Sequence, residues 1–341
     1  MIKIGINGFG RIGRTTFRAA LERYNNQVQI VAINTSGSMK IEGWAHLLKY
    51  DSVYGKFCQD IEIMSGEKGE IGRLVINKQI YPFLATKEPG KIPWDQYKVD
   101  VVLESTGCFR TNIDCQDHLK AGAKKVIISA PAKDDTPTFI VGVNNDKYKG
   151  EKIVSNASCT TNCVAPIAKI MMDNFKVVRT SMTTIHSYTA DQELVDGSHK
   201  DLRRARAAAI NIVPTSTGAA DALVKVLPKY EGKFGGSAIR VPVACGSLAD
   251  FTFVLDQTVR DKKIRDVFDQ ASTGDYRGIV EVTNEPLVSS DIIKTSASTI
   301  VDLSLVEVTG GNLVKVVAWY DNEWGYSCRM IELAGQIGTY D

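Results

Sequence analysis

One cysteine in a run of small hydroxyl and amide residues is the most reactive group this chain offers. In Ser155-Asn156-Ala157-Ser158-Cys159-Thr160-Thr161-Asn162-Cys163 the polar residues give way to a helical run, Val164 to Phe175. A thiol on the first turn of a helix faces unpaired backbone N–H groups and the positive end of the dipole, and both favour its thiolate. Cys159 is therefore a candidate nucleophile. The hydroxyls of Ser158, Thr160 and Thr161, beside the same amides, could hold an oxyanion or a phosphate. His186, at the end of the strand-like segment Val177 to Ile185, is the candidate base. An imidazole accepts a proton near neutral pH and, once charged, stabilises a neighbouring thiolate. Taken one at a time, a buried inert cysteine behind a Ser/Thr cap and a structural histidine after a strand are the competing readings.

A second constellation lies at the N-terminus, where Lys3-Ile4-Gly5-Ile6-Asn7 reads as a buried strand followed by Gly8-Phe9-Gly10-Arg11-Ile12-Gly13 and an amphipathic run through Phe17, Ala20 and Leu21. Strand, G-x-G-x-x-G and helix in that order form a dinucleotide fingerprint. The first glycine allows the tight turn, the second lets backbone approach a pyrophosphate, and the third lets the helix lie against the strand. Asn7, Gly8, Phe9, Gly10, Arg11 and Ile12 are thus candidate cofactor contacts. The second strand, Val28 to Asn34, ends where an acidic residue would hold the adenosine ribose, but Asn34-Thr35-Ser36 stands there. A carboxylate would repel a 2′-phosphate, whereas hydroxyls can donate to one. NADP is thereby admitted, and a neutral loop leaves NAD usable.

The elements that must position these groups form two patterns. Asp100 to Glu104 and Lys125 to Ser129 are strand-like, with a helical run from Asp114 to Ala121 between them. Strands alternating with helices predict an α/β, Rossmann-type, doubly wound parallel sheet whose ligands sit beyond the carboxyl ends of its strands, which places Thr106, Gly107 and Ser129 near the cofactor. Phe57 to Ile80 alternates apolar and polar residues between turns and predicts antiparallel additions to that sheet. After Asn156 the pattern changes. A helix over 160–174 contains Pro166, which predicts a kink or a tight first segment. Strands follow at Val177 to Ile185, Ala238 to Val243, Leu248 to Leu255, Thr299 to Leu303 and Leu313 to Tyr320, with helices at Leu223 to Leu227 and Ile264 to Ala271. The second half is expected to be an α+β catalytic domain on a mostly antiparallel sheet. The expected boundaries are 1–155 with 323–341 for the dinucleotide-binding domain and 156–322 for the catalytic one. Residues 191–212 form a long polar stretch of little periodicity, of the kind that is functional or interfacial inside a compact domain.

Composition sets limits on the reading. The 341 residues suit two domains, each with its own core. With 41 basic and 39 acidic side chains, the overall field is weak, and nucleic acid is not an expected partner. No apolar run is long enough to span a bilayer and no leader is visible, so no membrane partner and a cytoplasmic location are expected. Seven cysteines scattered over the chain suit reduced thiols, and four dispersed histidines without a C-x-x-C pair give no metal site.

Taken together, residues Asn7 to Arg14, Leu47-Leu48-Lys49-Tyr50-Asp51-Ser52, Ser158 to Cys163, His186-Ser187-Tyr188-Thr189, Asp201 to Arg206, Pro214 to Ala220 and Trp319 to Ser327 closely resemble the phosphorylating glyceraldehyde-3-phosphate dehydrogenases. The resemblance runs from end to end. It implies that Cys159 attacks the aldehyde carbon of glyceraldehyde 3-phosphate, that His186 takes the proton as hydride leaves, and that inorganic phosphate cleaves the resulting thioester to 1,3-bisphosphoglycerate. It also implies that Thr189, Asp191, Arg204 and Arg240 hold the substrate phosphate, while Ser158, Thr160, Thr217 and Gly218 hold inorganic phosphate. Asn322 would lie near the nicotinamide carboxamide and the C-terminal helix against the first domain. A homotetramer is implied, with residues 191–212 packed between subunits. Three positions depart from the family pattern. Thr35 stands where most NAD-specific members carry Asp, and Gly197-Ser198 stands where they carry Leu-Pro. Ser198, reaching the adenosine of a neighbouring subunit's cofactor, would join Thr35 and Ser36 as a donor to a 2′-phosphate, so NADP is expected with NAD as a second substrate. Val243-Ala244-Cys245-Gly246-Ser247 replaces a Thr-Pro-Asn-Val-Ser run and leaves the local strand entry open. Erythrose-4-phosphate dehydrogenase is the nearest competing enzyme. A nucleotide- or nucleic-acid-binding protein on an inactive dehydrogenase scaffold is the competing reading of another class.

Overall fold

A computed structural model describes residues 1–340. The chain divides into two compact units. The first comprises Met1–Phe139, Lys147–Ala157 and the chain from Ser327 on; the second comprises Ile140–Asp146 and Ser158–Tyr326.

The first unit is built on β1 (Ile2–Asn7), α1 (Arg11–Arg23), β2 (Val28–Asn34), α2 (Ile41–Lys49), the two-strand ladder β3 (Tyr50–Asp51) and β4 (Gly55–Lys56), β5 (Glu62–Met64), β6 (Glu70–Ile76), β7 (Gln79–Leu84), β8 (Val101–Glu104), α3 (Asn112–Lys120), β9 (Lys125–Ile128) and β10 (Ile153–Ser155). Its main sheet has the order β10-β9-β8-β1-β2-β7-β6-β5. The first six strands are parallel, while β6 and β5 add on in antiparallel fashion, as the alternation over 57–80 predicts. Every residue of β8 and β9 is buried, the signature of parallel strands covered on both faces. The glycine fingerprint has a steric cause. Gly8 takes φ +96° to turn out of β1, and a Cβ on Gly13 would stand 2.1 Å from the Gly8 carbonyl oxygen, so only glycine lets α1 lie this close to the strand end.

The second unit holds α4 (Cys159–Asn174), β11 (Val177–Ser187), β12 (Val213–Thr215), α5 (Ala219–Val226), β13 (Phe234–Val241), β14 (Ser247–Leu255), α6 (Asp261–Thr273), β15 (Val280–Thr283), β16 (Thr299–Asp302), β17 (Glu307–Thr309) and β18 (Leu313–Tyr320). The last helix, α7 (Trp324–Gly338), begins in this unit and continues into the first. Its sheet runs β12-β13-β11-β14-β18-β16-β15, with β17 also on β18. Only β11 with β13 and β15 with β16 are parallel. Strand β14 alternates buried and half-buried positions along its whole length, the pattern of a sheet with one face on the core.

Local differences from the sequence expectations have physical reasons. Helix α5 starts at Ala219 rather than Leu223, because the Thr217 hydroxyl accepts a hydrogen bond from the Ala219 amide and begins the helix earlier than its apolar residues show. Helix α4 runs through Pro166 without interruption. Strands β12, β15 and β17 are three or four residues long, too short to leave a period in the sequence. Between β13 and β14 the Val243–Ser247 run settles regularly: the Cys245 thiol lies 3.3 Å from Asp321 Oδ1, and β14 begins in register with β18 at Ser247 and Tyr320.

Candidate active site

Cys159 is the first residue of α4, and Ser158 is its cap, with the Ser158 hydroxyl accepting from the Thr161 amide at 3.1 Å. Half-buried Cys159 therefore stands where the fragment predicts, beside the unpaired amides of the first turn. His186 comes from the last residues of β11, and its Nε2 lies 3.5 Å from the Cys159 Sγ. The other ring nitrogen, Nδ1, lies 2.7 Å from the Ser187 carbonyl oxygen, which can only accept. Arg240 Nη1 also lies 3.1 Å from Nδ1, and Nε2 is the ring nitrogen that faces the thiol.

Charge at this pair differs from the expectation of a thiolate favoured by the helix start alone. Burial pushes the Cys159 thiol up, against the Arg240 charge and hydrogen bonds from the Thr160 hydroxyl and amide, which pull it down. Burial, followed by the Arg240 charge, lowers the His186 imidazole to about 3. Neither group ionises alone in such surroundings. The charged state open to the pair is the one in which the proton passes from Sγ to Nε2, because each charge then offsets the other.

Arg240 links this pair to an anion-binding cluster. It lies in β13, in parallel register with His186, and its guanidinium donates to the Ser187 carbonyl at 3.0 Å and to the Thr189 hydroxyl at 2.6 Å. Thr189 donates to Asp191, whose other oxygen accepts from Arg204. Arg204 in turn donates to Thr215 at 2.9 Å and to the Ser216 carbonyl at 3.1 Å. The four residues expected to hold a substrate phosphate are therefore one connected group. Burial raises the Asp191 carboxyl, but Thr189, Arg240 and Arg204 hold it below the usual range, so it aligns two cations as an anion itself. The buried Arg240 Nε has no hydrogen-bond partner, a donor to spare for an incoming anion.

The remaining expected anion ligands lie at helix starts. Ser158 and Thr160 belong to the first turn of α4, and Thr217 and Gly218 precede α5, which packs beside α4. The Thr160 hydroxyl is 3.0 Å from the Tyr320 hydroxyl. Asn322 is fixed by three donors that converge on its Oδ1: the Ser187 hydroxyl at 2.9 Å, the Gly246 amide at 3.1 Å and the Ser247 hydroxyl at 3.1 Å. All three of these contacts go to Oδ1 and none to Nδ2.

In the first unit, Gly10 caps α1 with no side-chain hydrogen bond, and a Cβ there would meet no atom within 4 Å. Open space before uncapped amides is what a dinucleotide pyrophosphate requires. Asn7, Asn34 and Glu104 end their strands level with one another and are joined: Asn34 Nδ2 donates to Asn7 Oδ1 at 2.7 Å, and Asn7 Nδ2 to Glu104 Oε2 at 2.5 Å. Glu104 also accepts from the Thr106 amide at 2.9 Å and faces His118 Nε2 at 3.0 Å. Gly107 turns at φ +74° beyond it, and the Ser129 amide donates to the Glu104 carbonyl at 3.0 Å. Phe9 packs edge-on against Phe17 and Phe83, so only its backbone can meet a ligand. Arg11 forms an ion pair with Asp51, while Ile12 is half-buried on the first turn of α1.

Thr35 is buried, and its hydroxyl donates to the Leu84 carbonyl at 2.9 Å. Ser36 is exposed and shares a hydroxyl contact of 2.8 Å with Ser38, and Ser198 is exposed in the second unit. The sequence reading also passed over Glu104, Ser187, Ser247 and Tyr320. Glu104 could have been found as a carboxylate closing a wholly apolar strand; the other three carry no local signal.

The first unit thus carries a dinucleotide-type fold, and the second a thiol–imidazole pair beside an arginine cluster. Residues 2–112 match the family model described as "Glyceraldehyde 3-phosphate dehydrogenase, NAD binding domain", and residues 158–322 match "Glyceraldehyde 3-phosphate dehydrogenase, C-terminal domain". Among curated relatives, glyceraldehyde-3-phosphate dehydrogenase 1 of Bacillus cereus is 49% identical, covering 99% of this chain and 98% of the relative. Glyceraldehyde-3-phosphate dehydrogenase 2 of Trichormus variabilis is 47% identical over 98% of both chains. The chloroplastic glyceraldehyde-3-phosphate dehydrogenase A of Chlamydomonas reinhardtii is 48% identical over 98% of this chain and 88% of its own. The chain belongs to the glyceraldehyde-3-phosphate dehydrogenase family.

Proposed function

We propose that this protein oxidises glyceraldehyde 3-phosphate with inorganic phosphate to 1,3-bisphosphoglycerate, reversibly, using NADP and also NAD. The observation that carries the reading is the 3.5 Å approach of Cys159 Sγ to His186 Nε2, with Arg240 Nη1 3.1 Å from the other ring nitrogen. The Cys159 sulfur bonds to the aldehyde carbon as its proton passes to Nε2, and that proton goes on to the carbonyl oxygen. Bound nicotinamide supplies the hydride acceptor. His186 takes the hydroxyl proton as the C–H bond breaks, which leaves a thioester on Cys159. A phosphate oxygen then attacks the thioester carbon, the C–S bond breaks, and the sulfur leaves as thiolate. Thr189, Asp191, Arg204 and Arg240 hold the substrate phosphate. Ser158, Thr160, Thr217 and Gly218 hold the attacking one, and Asn322 donates to the carboxamide through Nδ2. Residues 1–155 with 323–341 carry the cofactor and 156–322 the chemistry.

No carboxylate occupies position 35 to repel a 2′-phosphate, and the exposed hydroxyls of Ser36, Ser38 and Ser198 are the donors proposed for it. Asn7, Gly8, Phe9, Gly10, Arg11, Ile12, Asn34, Thr106, Gly107 and Ser129 complete the cofactor side. The protein works as a homotetramer in the cytoplasm, a reading supported by the exposed Leu194, Val195, Leu202, Ile210 and Ile212 of the 191–212 stretch, which a second copy would cover. Among the described residues, no helix is long and apolar enough to cross a membrane. A steady-state assay on glyceraldehyde 3-phosphate tests the proposal, with and without phosphate and with each nicotinamide. Acyl phosphate formation that requires phosphate is expected, with kcat/KM for NADP at least comparable to that for NAD. Free acid formed equally well without phosphate would overturn the reaction, and a preference for NAD above about a hundredfold, a few kcal/mol, would overturn the cofactor assignment.

A further inference from the structure

A buried carboxylate closes β8 beside the glycine fingerprint. Glu104 Oε1 accepts from the Thr106 amide at 2.9 Å and from the Thr106 hydroxyl, while Oε2 accepts from Asn7 Nδ2 at 2.5 Å and faces His118 Nε2 at 3.0 Å. Glu104, Asn7, His118 and Trp94 are all buried, and the Trp94 indole Nε1 lies 3.0 Å from His118 Nδ1. An indole N–H can only donate, so Nδ1 accepts and the ring proton sits on Nε2, where it is given to Glu104. The other directions are fixed in the same way. The Thr86 amide donates to Asn34 Oδ1 at 2.9 Å and the Thr86 carbonyl accepts from Asn34 Nδ2 at 2.8 Å, which leaves that carboxamide one orientation. Asn34 Nδ2 also donates to Asn7 Oδ1, and this turns Asn7 Nδ2 to Glu104. The Thr106 hydroxyl accepts from the Cys108 amide at 3.1 Å and gives its own proton to Glu104.

We propose that Glu104 and His118 are positioning residues of the dinucleotide site, which hold Thr106 and, through Asn7, Asn34 in the geometry that receives the cofactor. The inference rests on the dinucleotide reading of the first unit and adds to it two residues outside the cofactor contacts named above. Glu104 ties together the ends of the parallel strands β2, β1 and β8, where ligands of such sheets sit. Buried His118 holds one of its oxygens, and exposed Thr106 hangs on the other. The fingerprint turn is seated on the same peptide: a Cβ on Gly8 would stand 2.7 Å from the Ser105 carbonyl carbon and 2.7 Å from the Thr106 amide nitrogen. A displaced Thr106 therefore disturbs the turn that approaches the pyrophosphate. Bonds to a buried carboxylate are charge-assisted and strong, so Thr106 and Asn7 have little freedom while Glu104 keeps its charge.

Glutamine at position 104 separates the roles of the two oxygens. An amide has one acceptor and sets its N–H groups where the other oxygen stood, so in either orientation it confronts donors, Thr106 on one side or Asn7 with His118 on the other. The test measures dissociation constants of NAD and NADP by isothermal titration calorimetry on the full chain, with melting curves alongside. Glu104→Gln is expected to raise both constants roughly tenfold, the loss of a charge-assisted bond to a buried group. The rate at which iodoacetamide alkylates Cys159 in the cofactor-free protein, followed against pH, should stay as it was, because Cys159 belongs to the second unit. His118→Gln keeps an acceptor for Trp94 and a donor for Glu104 and should restore affinity to within about twofold, whereas His118→Leu keeps neither and should lose roughly as much as E104Q. The two His118 variants decide the matter if E104Q does not fold. A network that served the fold alone would lower the melting temperature of E104Q and H118L and leave both dissociation constants in place. That result, or equal affinities in H118L and H118Q, would overturn the proposal. An unsubstituted chain that binds neither nicotinamide would overturn the dinucleotide reading and the proposal with it, while binding that ignores these substitutions removes the positioning role alone.

Discussion

Two helix starts, one in each unit, apply the same backbone device to different ends. At α1 the cap is Gly10, no side chain answers the first amides, and the space before them is open. At α4 the cap is Ser158, whose hydroxyl takes one amide, and the next residue places a thiol at the remaining ones. An uncapped start is a standing site for a ligand's anionic group. A capped start with cysteine at its first position instead favours an anion that the chain itself generates. The contrast also appears in what surrounds each start. Carboxamides and Glu104 tie strand ends together beyond the first, whereas two arginines, an aspartate and a histidine gather beside the second.

Substitutions can sharpen or break this contrast. Cys159→Ala should reduce turnover by roughly a millionfold while leaving dinucleotide binding intact by fluorescence titration; loss of both together would mean that the two starts do not act separately. His186→Asn should cost roughly a hundredfold to ten-thousandfold in kcat. It should also move the alkylation midpoint of Cys159 upward, because the sulfur then has no neighbour to receive its proton.

The same histidine gives a stability test. Its folded value of about 3 lies below the ordinary 6.5, so between those values the unfolded chain binds a proton that the folded chain refuses. Stability should therefore fall as pH drops from about 6.5 towards 3, by an amount on the order of a few kcal/mol, and denaturant titration of His186→Asn should give a shallower slope over that window. An equally steep slope in the variant would assign the acid sensitivity to other groups. Gly13→Ala forces a Cβ onto the Gly8 carbonyl and should destabilise the first unit by about 2–4 kcal/mol, seen by calorimetry, together with weaker dinucleotide binding. The smallest effect is expected from Ser158→Ala, about 1 kcal/mol from the lost cap. A larger fall in KM-limited rate at low phosphate would show that the Ser158 hydroxyl also serves the attacking anion.

Much of this could be read from consecutive residues. The Gly8-to-Gly13 spacing fixes a turn, a close approach and a helix start, because each depends on backbone dihedrals and the absence of a Cβ within a few positions. Ser158-Cys159 likewise fixes a cap and the residue after it. At Thr35 the hydroxyl type was legible while its partner, the Leu84 carbonyl on β7, was not. Sequence by itself determined where chain direction changes, which faces are apolar, and which nucleophile stands at a helix start. Tertiary structure alone decided that His186 reaches Cys159 from 27 residues away, that Arg240 lies in register beside His186, and that Tyr320 touches Thr160 across 160 residues. Dihedral preferences and caps act over a turn or two, whereas these meetings depend on strand register and on how helices pack across the sheet.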